Sequence, residues 1–182
     1  MASLITHPIV PFAAASFAGR AFVPVPLLVL GMFFPVLPDL DSIGFRLGIP
    51  YASPFGHRGF SHSILVALVF AAAMMPLARK LDAKPAVVFS FLCFSMLSHG
   101  VLDAFTDAGN GVAFLWPFSA DRTFFGFRPI EASPISVGRF MSGRGLQVLR
   151  SELIWVWIPA LLLRTLTNRL GRHAKRVRCR EY

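Results

Sequence analysis

The sequence predicts an all-α polytopic membrane protein, a helical bundle of four or five short spans with a metal site at one membrane face. Three observations lead there. The 182 residues are 55% hydrophobic, with mean hydropathy +0.62 and only 15% charged, where a soluble domain carries about 25% charged residues. The apolar residues come in runs approaching membrane length, separated by turns rich in proline, glycine or basic residues. Histidines and aspartates gather at the ends of these runs rather than inside them. The length suits one domain, read as residues 1–170 with an extramembrane loop region over 108–151, followed by a basic tail over 171–182.

The first run, 4–19, holds small apolar residues, is broken by Pro8 and Pro11, and carries His7. A span needs about 20 residues, so this reads as a short, tilted or partly inserted helix that ends at Arg20. Residues 21–38 carry no charge, and Pro24, Pro26, Pro35 and Pro38 confine a span to about 23–37. Asp39-Leu40-Asp41 follows as a polar corner. On an extended corner, residues two apart aim the same way. Residues 43–61 form a Gly- and Pro-rich loop closing on Gly56-His57-Arg58-Gly59-Phe60-Ser61-His62-Ser63. Ser61 is the expected N-cap of a helix from His62 to about Ala78.

Arg79, Lys80 and Lys84 surround the next turn, and Pro85 suits the first position of the following helix. That helix carries Val87 to Leu97 through the membrane and delivers His99, Asp103 and Asp107, spaced four apart, at its far end. Residues 108–151 have no long apolar run and read as a folded loop over the site, with a short strand pair around 112–127. Residues 152–170 give the last helix, with Trp155 and Trp157 as interface anchors. Cys93 lies in an apolar run and Cys179 in the basic tail, so no disulfide is expected.

The net charge is +9, and from Arg164 to Arg180 there are seven Lys or Arg and no acid. In a membrane protein such a tail marks the cytoplasmic side beside anionic lipid, and nucleic acid is disfavoured as a partner. With the tail and the Arg79–Lys84 turn inside, His62, Asp39 and His99 to Asp107 all reach one outer face of the membrane. Three His and three Asp on the ends of three helices meet the ligand supply of a one- or two-ion site. Mixed imidazole and carboxylate donors suit zinc, manganese or iron better than magnesium or calcium. His99 and Asp103 can clasp an ion from adjacent helix turns. His57 and His62 converge only if the first is on the loop and the second on the helix. Arg58 is equally suited to hold a phosphate or to pair with an aspartate.

His7, Leu37-Pro38-Asp39-Leu40-Asp41, Gly56 to Ser63, Ser98-His99-Gly100-Val101-Leu102-Asp103 and Leu115-Trp116-Pro117-Phe118 together resemble the bacterial membrane-bound metal-dependent hydrolases of the YdjM type. The resemblance covers residues 5–130, and that family is distantly similar to the zinc-dependent phospholipase C and single-strand nuclease superfamily. It implies His7, Asp39, His62, His99 and Asp103 as metal ligands, with Asp41 and His57 either ligating or holding ligands in place. No second His-x-x-x-Glu pair exists here, so a full three-metal cluster is not expected. The implied activity is hydrolysis in a bacterial inner membrane; the resemblance does not fix the substrate, and a site at headgroup depth favours a lipid or lipid-linked phosphoester at the membrane surface. Zinc (or manganese) would supply the activated water, Asp41 or Asp107 a base and Arg58 a countercharge. The alternative is a divalent-cation transporter or a non-catalytic metal-binding membrane protein. Oligomeric state is not legible.

Overall fold

Every run of membrane character folds as a helix, and the prolines decide where each helix changes type. A computed structural model describes residues 1–141 and 143–178, without the side chains of 168 and 170–178. Most of the basic tail's side chains, and Cys179 and Arg180 altogether, therefore lie outside the described residues. Helix α1 spans Ile9–Ala18 and stops at Gly19, whose φ of 78° suits glycine. Helix α2 spans Val25–Phe33. It does not end the path at 37, as expected. Pro35 and Pro38 cannot donate an N–H, and the chain tightens into 3-10 turns over Phe34–Val36 and Pro38–Leu47. The polar corner is thus helical, not extended, and Asp39 and Asp41 point to different neighbours.

Helix α3 spans Ile64–Ala73 and is followed by a 3-10 turn over Met75–Leu77. Its cap is Ser63, whose Oγ accepts the Val66 N–H at 3.2 Å, and not Ser61. Helix α4 spans Pro85–Ala104 and opens on Pro85 as expected, but it ends before Asp107. It is the central helix. Val88, Leu92 and Met96 are buried in one core with Leu27, Ala67 and Ala71. Gly31 of α2 meets the Phe91 ring so closely that a Cβ there would lie 2.3 Å from Cε1.

The expected strand pair around 112–127 shrinks to isolated bridges, Val112 with Thr123 and Thr106 with Ile130; among the described residues no strand forms. Two further elements lie in the loop region, α5 (Val137–Phe140) and α6 (Gly143–Glu152). Helix α6 runs through a π-helical turn, Leu153–Trp157, into α7, Ile158–Arg178. The last helical path therefore begins at Gly143, not at 152. Among the described residues, three segments are long and apolar enough to cross a membrane, Val25–Leu47, Pro85–Ala104 and Gly143–Thr167, and Ile9–Ala18 and Ile64–Leu77 are shorter apolar helices. This is an all-helical membrane bundle. The path from α2 ends near Asp39, α3 begins after His62, and α4 ends at His99 and Asp103, so three elements deliver their polar ends to one place.

Candidate metal centre

Asp39, His62, His99 and Asp103 converge, one ligand atom from each, and all four are buried. The Nε2 atoms of His62 and His99 lie 2.9 Å apart. From Asp39 Oδ1 they are 3.9 and 3.4 Å, and from Asp103 Oδ2 they are 3.7 and 3.8 Å. Bonds of about 2.0–2.2 Å to a tetrahedral zinc give ligand–ligand edges of about 3.3–3.6 Å. The spacing therefore fits one divalent ion.

Part of the set lacks other partners. Both oxygens of Asp39 and Nδ1 of His99 are buried without a hydrogen bond, whereas Asp103 lies 2.9 Å from Arg58 Nε. A buried carboxylate without donors, as at Asp39, needs positive charge. Its demand is visible at His62. Burial alone would lower that imidazole's pKa, but the adjacent carboxylates of Asp103 and Asp41 outweigh it and raise the value to about 9.

Asp41 grips the loop beside this cluster. Its carboxylate accepts from the Arg58 N–H at 3.1 Å and the Ser61 hydroxyl at 2.5 Å, and it contacts His57 Nδ1 at 2.6 Å and His62 Nδ1 at 3.3 Å. Asp39 and Asp41 thus face opposite edges of the His62 ring. Holding an imidazole by Nδ1 fixes its tautomer and aims Nε2, as carboxylates do behind metal-bound histidines. Asp41, His57 and His62 also form a second set that converges closely enough to hold an ion. His57 Nε2 is buried without a partner.

Arg58 realises the ion-pair alternative. It is fully buried, with Nε 2.9 Å from Asp103 Oδ2, Nη1 donating to Ala108 O at 3.0 Å and Nη2 to Thr106 Oγ1 at 2.9 Å. Its φ is 64°, a costly conformation for a non-glycine residue. Gly59 lets the loop turn here, since a Cβ would sit 2.1 Å from Pro54 O. Arg122, from the 108–151 region, caps the same loop by donating to His57 O, Tyr51 O and Ser53 O.

His7 belongs to neither set. It is fully buried and stacked on His99, with ring centroids 3.9 Å apart, and its Nε2 is 3.9 Å from Asp103 Oδ1. Asp107 lies off the cluster, accepting the Ala132 N–H and 3.9 Å from Arg144. The group that sequence reasoning missed is Glu152. It is fully buried and accepts from the Ser3 N–H, from Ser3 Oγ at 2.6 Å and from Thr6 Oγ1 at 2.8 Å. Trp157, expected as an interface anchor, instead donates its indole N–H to Thr6 Oγ1 at 2.8 Å. Ala2 N–H donates to Asp103 Oδ1 at 2.8 Å. The segment that carries His7 is therefore fastened at both the cluster and Glu152. A lone glutamate on a path read as a plain helix gave no local signal of this.

The chain is similar to curated proteins of the bacterial inner membrane. It is 38% identical over 164 residues to the inner membrane protein YbcI of Escherichia coli K12, covering 90% of this chain and 95% of that protein. It is 32% identical over 127 residues to the inner membrane protein YdjM of the same organism, covering 61% of this chain and 63% of that protein. No solved structure matches it. The sequence profile of the family described as "YdjM inner membrane protein" matches residues 1–173. The chain, a multi-pass helical membrane protein with a possible metal-binding site, belongs to the YdjM family of inner membrane proteins.

Proposed function

We propose that the protein is a membrane-bound metal-dependent hydrolase that acts on a phosphoester or lipid-linked substrate at the membrane surface. The observation that carries the reading is the convergence of Asp39, His62, His99 and Asp103, all buried, with both oxygens of Asp39 left without a hydrogen bond. These four would hold the ion, zinc or manganese, and the Asp41, His57 and His62 set would suit a second. A divalent ion there supplies Lewis acidity and a water acidic enough to act near neutral pH. Asp41 fixes the orientation of both loop imidazoles, and its oxygens are already engaged. Arg58 offsets the charge of Asp103, which keeps two carboxylates compatible in a buried site. His57 Nε2 is one unengaged atom with proton-carrying chemistry beside the cluster. The basic Arg79–Lys84 turn at the other end of the bundle supports placing the site on the outer face and the tail inside.

A second reading is a closed, non-catalytic metal site. It is favoured by the burial of all four ligands under the segment that bears His7. Metal analysis of detergent-purified protein tests both. His99→Ala and Asp103→Ala should each lose the bound metal, and unchanged content in both would sink the site. Hydrolysis of bis-p-nitrophenyl phosphate or of phospholipid vesicles, abolished in Asp39→Ala, supports the hydrolase. Full metal occupancy with no turnover on either probe supports the closed site.

A further inference from the structure

The other end of the bundle, away from the metal cluster, is where α1 turns into α2 and α3 into α4. A cavity of about 480 Å³ opens there, lined by Arg79, Asp82 and Lys84 above Phe22 and Val87. Arg20, Arg79, Lys80 and Lys84 are exposed at or beside this level, and their side chains make no ion pair with the other described residues. Four cations against Asp82 leave a strong positive excess without protein partners.

The cavity does not end at the surface. Phe22 and Val87 also wall an apolar cavity of about 220 Å³ that continues between α1 and α4 past Ala14, Ala18 and Phe94. Phe94 is shared in turn with a third, also about 220 Å³, that reaches Leu97, Val101 and Leu102. From Lys84 to Leu102 this seam follows α4 for about 27 Å, at 1.5 Å per residue. Its two serines carry no free polarity, since Ser90 Oγ donates back to Ala86 O and Ser98 Oγ to Ser95 O. Ala14 and Ala18, four apart on α1, present only methyl groups to it.

We propose that this seam binds one anionic phospholipid, its phosphate between Arg79 and Lys84 and one acyl chain along α1 and α4. The charge selects an anion, and the long apolar continuation selects an anion that carries a chain rather than a free one. Basic pockets between membrane helices recognise such headgroups. The site is separate from the metal cluster and does not depend on the hydrolase reading.

Native mass spectrometry of the detergent-purified protein, titrated with phosphatidylglycerol or phosphatidylcholine, tests it. Phosphatidylglycerol should be retained preferentially. Arg79→Gln with Lys84→Gln should weaken that retention about thirtyfold, about five- to sixfold for each lost cation, with metal content unchanged. Ala14→Phe should weaken retention of both lipids by filling the seam. Equal retention of the two lipids, or full retention in the doubly neutralised protein, would overturn the proposal. So would glycerol phosphate raising the unfolding temperature as much as phosphatidylglycerol, which would mark a site for a soluble anion.

Discussion

Replacing Glu152 tests how the His7 segment is held. Glu152→Ala removes an acceptor that serves three donors: the Ser3 N–H, the Ser3 hydroxyl and the Thr6 hydroxyl. Each buried donor left unsatisfied costs about 1–3 kcal/mol. Ser3 and Thr6 can recover part of this by bonding each other, since their hydroxyls already lie 3.3 Å apart. A net loss of about 3 kcal/mol is the expectation, which for a chain of this length lowers the unfolding temperature by about 6–12 °C. Glu152→Gln keeps one oxygen but turns the other position into a donor facing a donor, so it should lose about half as much. The assay is thermal unfolding in detergent, with metal content read on the same samples. Because the freed segment carries His7 off the face of His99, Glu152→Ala should also bind metal more weakly while keeping all four converging ligands. An unfolding temperature within 1 °C of the parent, or loss in Glu152→Gln as large as in Glu152→Ala, would refute the reasoning.

Two further outcomes follow from the loop. Arg58→Leu strands Asp103 as a buried charge without its partner and should cost about 3–5 kcal/mol in the metal-free protein. Arg58→Lys should restore little of it, because one ammonium cannot reach Asp103, Ala108 O and Thr106 as three separate nitrogens do; denaturant melts of the two variants check this. Gly59→Ala drives a Cβ to 2.1 Å from the Pro54 carbonyl, so the His57–His62 loop must shift. Its signature should be reduced metal occupancy with helix content unchanged by circular dichroism.

The membrane helices were legible because lipid imposes long apolar runs, and Pro85 marked the start of α4 because its ring suits that position. The pairing of His99 with Asp103 was legible for an equally local reason, a spacing of one helical turn. What failed was the backbone type at Asp39 and Asp41. Prolines can end a helix or tighten it, and the sequence does not say which. Ser61 and Ser63 are both acceptable caps, and tertiary contacts chose between them: Ser61 is drawn to Asp41, which leaves Ser63 for the helix. Arg58 had two suitable partners on paper, and burial beside Asp103 decided between them. Glu152 and Ser3 are 149 positions apart, a distance across which no spacing rule operates.

The π turn between α6 and α7 explains how one hydroxyl comes to be held twice. Glu152 and Trp157 both bond Thr6 Oγ1, and they are five residues apart. On an α-helix that separation turns the second side chain about 140° from the first, which would send one of them into the bilayer. Widening the turn over Leu153–Trp157 closes bonds from each residue to the fifth beyond it, and positions five apart come round to one side. The irregularity is therefore a phase correction. It lets a long outer helix address a single threonine with an acid and an indole at once. A regular α-helix through the same residues, with none removed, would put the two out of step.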